Sequence, residues 1–170
     1  MHQTTISNRD MGIFRTKEAK AVIAPIFGKS EVTMTRIYCD SPGHGLVDPH
    51  VSEDAFLLAY NLRDYHGDLW VDGKKVDYKL SKRGNFTIYD YRRTWVADMK
   101  SPFDGLGLHI PRSALKAYEE DLGGKHIETL QAKPGHHIED HVVQGLISAC
   151  LRFSSLAPQV AYFRTMLRPF

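Results

Sequence analysis

The sequence predicts one mainly β domain, an α+β chain whose centre is a sandwich or small barrel with helices before and after it. Three observations carry this. The 170 residues suffice for a single core and would be cramped as two domains. Between residues 31 and 110, short apolar or alternating runs are separated by turn residues at spacings of roughly ten, the rhythm of a many-stranded β fold. On either side of that stretch apolar residues fall at helical spacing instead. The expected layout is a single domain over 1–170: an N-terminal segment with a short helix in 1–30, a β-barrel in 31–110 and a helical segment in 111–170.

Taken in order, Thr16 is placed to cap a helix in which Ala19, Val22, Ile23, Ile26 and Phe27 form one apolar stripe ending at Gly28, with Pro25 kinking or shortening it. The strand runs are 32–38, 56–62, 69–71, 76–80, 86–89, 95–99 and 106–110. Asp72-Gly73 suits a tight hairpin turn that needs positive φ, and Arg83-Gly84-Asn85 and the 101–105 stretch read as further loops. Pro111 sits at a favoured first helical position before Ala114, Leu115 and Tyr118, with a stop at Gly123-Gly124. Val142, Val143, Leu146, Ile147, Cys150 and Leu151 make the strongest helical stripe, and Pro158 opens a last helix carrying Val160, Phe163, Met166 and Leu167.

Composition excludes several classes. With 42% hydrophobic and 25% charged residues the chain is far from the composition of disorder. A net charge of +2 offers no basic stripe for nucleic acid. No apolar run reaches the roughly 18 residues that cross a bilayer, and the polar start is no signal peptide, so a cytoplasmic protein without membrane contact is expected. Cys39 and Cys150 lack any zinc or CxxC spacing and read as buried thiols, and the Asn85-Phe86-Thr87 sequon as chance.

Cofactor and catalytic motifs fail on inspection. Gly28-Lys29-Ser30 resembles the end of a phosphate loop, but Ile23 stands where its first glycine belongs. Gly105-Leu106-Gly107 begins a dinucleotide fingerprint whose third glycine is replaced by Ile110. His137 and His141 have the i, i+4 spacing of paired metal ligands, yet Glu139 and Asp140 make the segment read as a solvated helix start. The β region has no His-x-His, His44, His50, His66 and His109 being scattered, and neither a GxSxG nor a marked nucleophile is present. No cofactor, no metal and no catalysis are therefore expected. What remains is a pocket between strands, for which Trp70, Tyr89, Tyr91, Arg93 and Trp95 are the candidate ligand-binding residues, although Asp90 with Arg92 or Arg93 would equally pin a loop.

Four segments, in order, resemble a known family: 56–62 (Phe56-Leu57-Leu58-Ala59-Tyr60-Asn61-Leu62), 70–74 around Asp72-Gly73, 84–90 ending in Asp90, and 106–115 containing Ile110-Pro111-Arg112. Together they are similar to the N-terminal ligand-binding domain of AraC-family transcriptional regulators, over about 16–151. Arg83-Gly84-Asn85 departs from the proline and acid usual where the third segment opens. The resemblance implies a cupin-like double-stranded β-sandwich followed by dimerisation helices, in proteins whose other half carries two helix-turn-helix units; the 36 residues after Pro134 are too few for that half.

The resulting expectation is a truncated or free-standing, non-catalytic ligand-sensing and dimerisation domain with a small-molecule effector and no direct DNA binding. It would self-associate, or pair with a full-length regulator, through Val143, Leu146, Ile147 and Cys150. The alternative on the same scaffold is a small metal-dependent cupin-type enzyme.

Overall fold

The computed structural model describes residues 19–26, 30–40, 45–48, 50, 52–78, 80–123, 127, 129–130 and 133–154. Nine strands and two helices lie within them: β1 (Ala19–Ile26), β2 (Ser30–Cys39), β3 (Gly45–Leu46), β4 (Ala55–Asn61), β5 (Gly67–Val71), β6 (Lys74–Val76), β7 (Phe86–Asp90), β8 (Trp95–Met99), β9 (Phe103–Pro111), α1 (Arg112–Leu122) and α2 (His141–Ser154). The strands form two antiparallel sheets, one ordered β1-β2-β9-β4-β7 and one ordered β3-β8-β5-β6.

The expected N-terminal helix is corrected. Residues Ala19–Ile26 form strand β1, paired with β2 along its whole length from Ala19↔Ile37 to Ile26↔Ser30. The helical spacing was incidental, because β-branched Val22, Ile23 and Ile26 also suit a strand and a complete ladder outweighs local periodicity. Pro25 is tolerated because β1 lies at the edge of its sheet. Thr16, Phe27 and Gly28 lie outside the described residues, as does the helix expected after Pro158.

Two further boundaries move. The 76–80 run leaves the sheet after Val76, with Tyr78 turned into a polar cluster and Leu80 exposed. The 101–105 loop is shorter than expected, since β9 begins at Phe103 and Gly105 pairs with both Ile37 and Asn61. The hairpin turn at Asp72-Gly73 is as expected, with φ of 50° and 75°, which fits a two-residue turn with both central residues left-handed.

Side-chain alternation assigns each strand's faces. Outward from the five-stranded sheet, Leu58, Tyr60, Phe86, Leu106 and Leu108 meet Val143, Ile147 and Leu151 of α2. Asp140 starts that helix, its carboxylate accepting the backbone N–H groups of Val142 at 2.8 Å and Val143 at 3.0 Å. Gly123 ends α1 in the left-handed conformation, φ 60°. At the junction of β9 and α1, the Arg112 guanidinium lies 4.1 Å from the centre of the buried Phe56 ring and pairs with Asp54 at 2.9 Å and Asp90 at 3.1 Å. Between the sheets lie Leu69, Val71 and Trp95 towards one end and Val47, Met99 and Phe103 towards the other.

Two glycine replacements test this packing in opposite directions. A Cβ at Gly67 would collide with the Asp98 carbonyl, whereas one at Gly145 meets nothing within 4 Å. In urea denaturation, Gly67→Ala is expected to destabilise by about 1–3 kcal/mol, and Gly145→Ala in α2 to stabilise by about 0.5–1 kcal/mol.

Candidate functional site between the sheets

The inner face of β9 reads Phe103, Gly105, Gly107, His109. Register places Thr35 and Ala59 on either side of Gly107, and Ala59 in turn opposite Thr87, so four neighbouring strands contribute a row of short side chains. A Cβ at Gly107 would stand 3.1 Å from Leu57 Cδ1, and one at Gly105 3.2 Å from the Tyr60 carbonyl oxygen, so the glycines let the strands approach closely while leaving the space above them open. Two adjoining pockets of about 90 and 110 Å³ occupy that space and share Leu57, Ala59, Tyr65, Tyr91 and Met99.

Two polar side chains line the first pocket. Thr35 is 5% and Asn61 7% exposed, and both offer hydrogen-bonding atoms to the space. The ring nitrogen of His109 stands 2.9 Å from Glu53 Oε1 at the rim. His50 stacks on Tyr91 at 4.3 Å and its Nε2 lies 3.0 Å from the Tyr91 carbonyl oxygen.

A second polar group runs away from the pockets. The Tyr65 hydroxyl, on their shared wall, bonds the Tyr78 hydroxyl; Tyr78 reaches Ser81 Oγ at 2.9 Å, and Ser81 lies 3.4 Å and Thr87 Oγ1 3.2 Å from the His137 ring. Burial is the main cause that raises the phenols of Tyr65, Tyr78 and Tyr89 far above their ordinary value, with neighbouring phenol charge adding to it. All three stay protonated donors at neutral pH.

Of the sequence candidates, Tyr89, Tyr91 and Trp95 do reach the interior, Tyr89 and Trp95 meeting edge to face at 4.6 Å. Trp95 also donates to the Asp90 carbonyl at 2.7 Å. Trp70 does not join them: its neighbours Leu69 and Val71 turn inward, and its own ring lies under Lys75 Nζ at 5.7 Å. Arg93 pairs with Asp72 at 2.8 Å and lines a separate outer groove near Lys133 and His136, while Asp90 is held by Arg92 at 2.7 Å, the loop-pinning reading.

On α2, Ile147 is buried in the core and Val143 packs beside it, Cys150 is half-buried, and Leu146 is 49% exposed. His137 and His141 do not converge. The first turns inward to Ser81 and Thr87, where a solvated helix start was expected, and the second bonds Gln144 at 3.2 Å. Among the described residues no group of three or more His, Cys, Asp or Glu side chains is arranged to hold a metal.

The sequence does not reveal Thr35, Asn61 and Tyr65, and in it His109 is one of four scattered histidines. Their convergence depends on strand register, and the one available signal, Gly-x-Gly followed by His on a single strand, resembled a fragment of a nucleotide motif.

Comparison with solved structures returns several proteins of low identity. The chain is similar to the cupin domain of Cnp3 from Schizosaccharomyces pombe, at 10% identity over 67% of this chain and 77% of that one, TM-score 0.41. The fold itself is a mainly β sandwich of two antiparallel sheets with two helices. It is also similar to a predicted oxalate decarboxylase from Thermotoga maritima (21% identity, 57% of this chain, 96% of that one, TM-score 0.36). A third is salicylate 1,2-dioxygenase from Pseudoaminobacter salicylatoxidans (10% identity, 64% of this chain, 28% of that one, TM-score 0.36). No protein-family model matches the sequence, and no curated protein matches it.

These neighbours correct the expectation of a non-catalytic chain. Enzymes are among the proteins to which the chain is similar, and fold alone does not settle catalysis. At these identities the likeness is one of fold and assigns no reaction. No described helix is long and apolar enough to cross a membrane.

The phenol cluster generates a pH prediction. Phenols whose pKa is higher folded than unfolded contribute stability that is complete below the unfolded value of about 10 and is lost as pH rises towards the folded value. Of the eight tyrosines, Tyr65, Tyr78 and Tyr89 are expected to ionise only as the protein unfolds at alkaline pH, read as a delayed step in the ultraviolet titration that disappears in denaturant. Replacing the fully buried Ser81 by Ala removes partners from Tyr78 and His137 and is expected to destabilise by about 1–3 kcal/mol in urea denaturation.

Proposed function

We propose that this chain is a small-molecule-binding module of the ligand-sensing kind that its Asp72-Gly73, Asp90 and Ile110-Pro111-Arg112 segments resemble in AraC-family regulators, with the effector held between the sheets. The observation that carries it is the pair Thr35 and Asn61, two polar side chains of low exposure that line the first pocket at the edge of a row of short side chains. A bound molecule with matching polar atoms would hydrogen-bond to them there. Apolar walls with a few convergent polar groups are the usual make-up of a small-molecule site.

In this reading α2 has two roles. Ile147 and Val143 hold it on the sheet, and Val142 and Leu146, 71% and 49% exposed, form the face through which it pairs with a second copy.

Native mass spectrometry of protein purified without chelator tests both roles. The wild type is expected to carry a small organic adduct as a dimer. Ala59→Phe, which fills the row beside Gly107, should lose the adduct while circular dichroism stays unchanged. Leu146→Glu should give a monomer that keeps it. A wild type without any adduct, and indifferent to the Ala59 replacement in ligand screening, would count against the interior site.

A further inference from the structure

Resting on the reading of the interior as a binding site, we infer that its ligand is a flat, uncharged, mainly apolar molecule of about one aromatic ring, with a single hydroxyl, carbonyl or amide group directed at Thr35 and Asn61.

Shape and size come first. Thr35, Gly107 and Ala59 lie side by side on three adjacent strands and make a floor with almost no relief. Met99 and Tyr65 face the same space from the other side of the sandwich. A slot between a level floor and aromatic and thioether groups favours a planar ligand. Neither pocket alone, at about 90 and 110 Å³, reaches the roughly 150 Å³ that holds one benzene in an apolar cavity, so a one-ring ligand would lie across the residues that the two share.

Charge narrows the class. Among the described residues no lysine or arginine lines either pocket. The ionisable groups near the first are already matched: Asp104 binds Arg36 at 2.6 Å, and His109 binds Glu53 at 2.9 Å. A carboxylate or phosphate entering here would shed its hydration and find no lysine or arginine, and an ammonium would find only carboxylates that already have partners, Asp48 of the second pocket included; either is costly. The Tyr91 ring, part of the common wall, already has His50 stacked on it at 4.3 Å.

Thr35 and Asn61 fix the polar end. A hydroxyl donates and accepts, and a primary amide offers two donors and an acceptor, so together they suit a group that does both. Tyr65 does not supply this contact, its hydroxyl being bonded to Tyr78.

The test uses four one-ring probes of similar size and different charge: phenol, toluene, benzoate and benzylammonium, titrated into the ¹⁵N-labelled protein at neutral pH. Phenol and toluene are expected to shift the Gly105 and Gly107 amides saturably. Phenol should bind roughly two- to tenfold tighter than toluene, the range of one neutral hydrogen bond, and benzoate and benzylammonium should each bind at least about tenfold more weakly than phenol. Thr35→Val, which keeps the volume and removes the hydroxyl, is expected to bring phenol towards toluene and leave toluene unchanged. Asn61→Leu provides a second, independent removal of the polar end.

Tighter binding of benzoate or benzylammonium than of phenol at the same amides would overturn the ligand class and leave the interior site standing. Phenol binding that both variants leave unaltered would overturn the assignment of the polar end. Failure of all four probes to shift the two glycines would refute the interior site itself, and this inference with it.

Discussion

Gly105 and Gly107 occupy inward positions on β9, paired on one side with β2 and on the other with β4, at the middle of the larger sheet. A side chain at either position would meet Tyr60 or Leu57 and fill the sandwich from its centre. Their absence lets three strands lie close while Phe103 and His109, two residues beyond the glycines on either side, remain large. The interior is thus shaped by subtraction: the bulky ends of β9 bound a space that its middle leaves open. Thr35 and Asn61 acquire their meaning from this arrangement, since they are polar, buried and directed into the opened region.

The outer side of the same sheet imposes a complementary demand. Its apolar residues need a cover, and α2 supplies one through Val143, Ile147 and Leu151. The chain leading into α2 is fastened as well, because Ile138 exchanges backbone hydrogen bonds with Phe86 at 2.8 and 2.9 Å. His137, one residue earlier, reaches the buried hydroxyls of Ser81 and Thr87. Arg112 does comparable work at the other junction, tying β9 and α1 to Phe56 and Asp90. The Ile110-Pro111-Arg112 segment, which reads as a family signature, is in physical terms a strand end, a helix start and a cation over a ring.

The legible part of the fold is the part governed by local rules. Strands β2, β4, β5, β7 and β8 announce themselves by β-branched and aromatic runs between turns, and Asp72-Gly73 and Gly123 by the positive φ that they supply. Both described helices were visible as stripes, with Asp140 at the start of the second. β1 was misread because Val22, Ile23 and Ile26 fit two periods, and only the ladder with β2 decides between them. Tyr89, Tyr91 and Trp95, legible in the sequence as aromatic residues near a turn, line the second pocket. Thr35 and Asn61 are not legible there, because their neighbours on adjacent strands are 72 and 44 residues away in sequence, at Gly107 and Gly105. The acidic neighbours of His137 suggest a solvated helix start, whereas its ring meets the hydroxyls of Ser81 and Thr87, distant in sequence.

One edge of the smaller sheet is the short strand β6, with Lys74 and Lys75 both exposed. Lys75 folds back over Trp70 and pairs with Asp68 at 3.0 Å, so a cation covers the outward indole. The opposite edge, β3, is only two residues long. A foreign strand approaching either margin would meet charge or too few backbone groups to zip along, which discourages the sheet from growing by accretion into fibrillar aggregates. The hairpin at Asp72-Gly73 thereby ends the smaller sheet on a strand only three residues long.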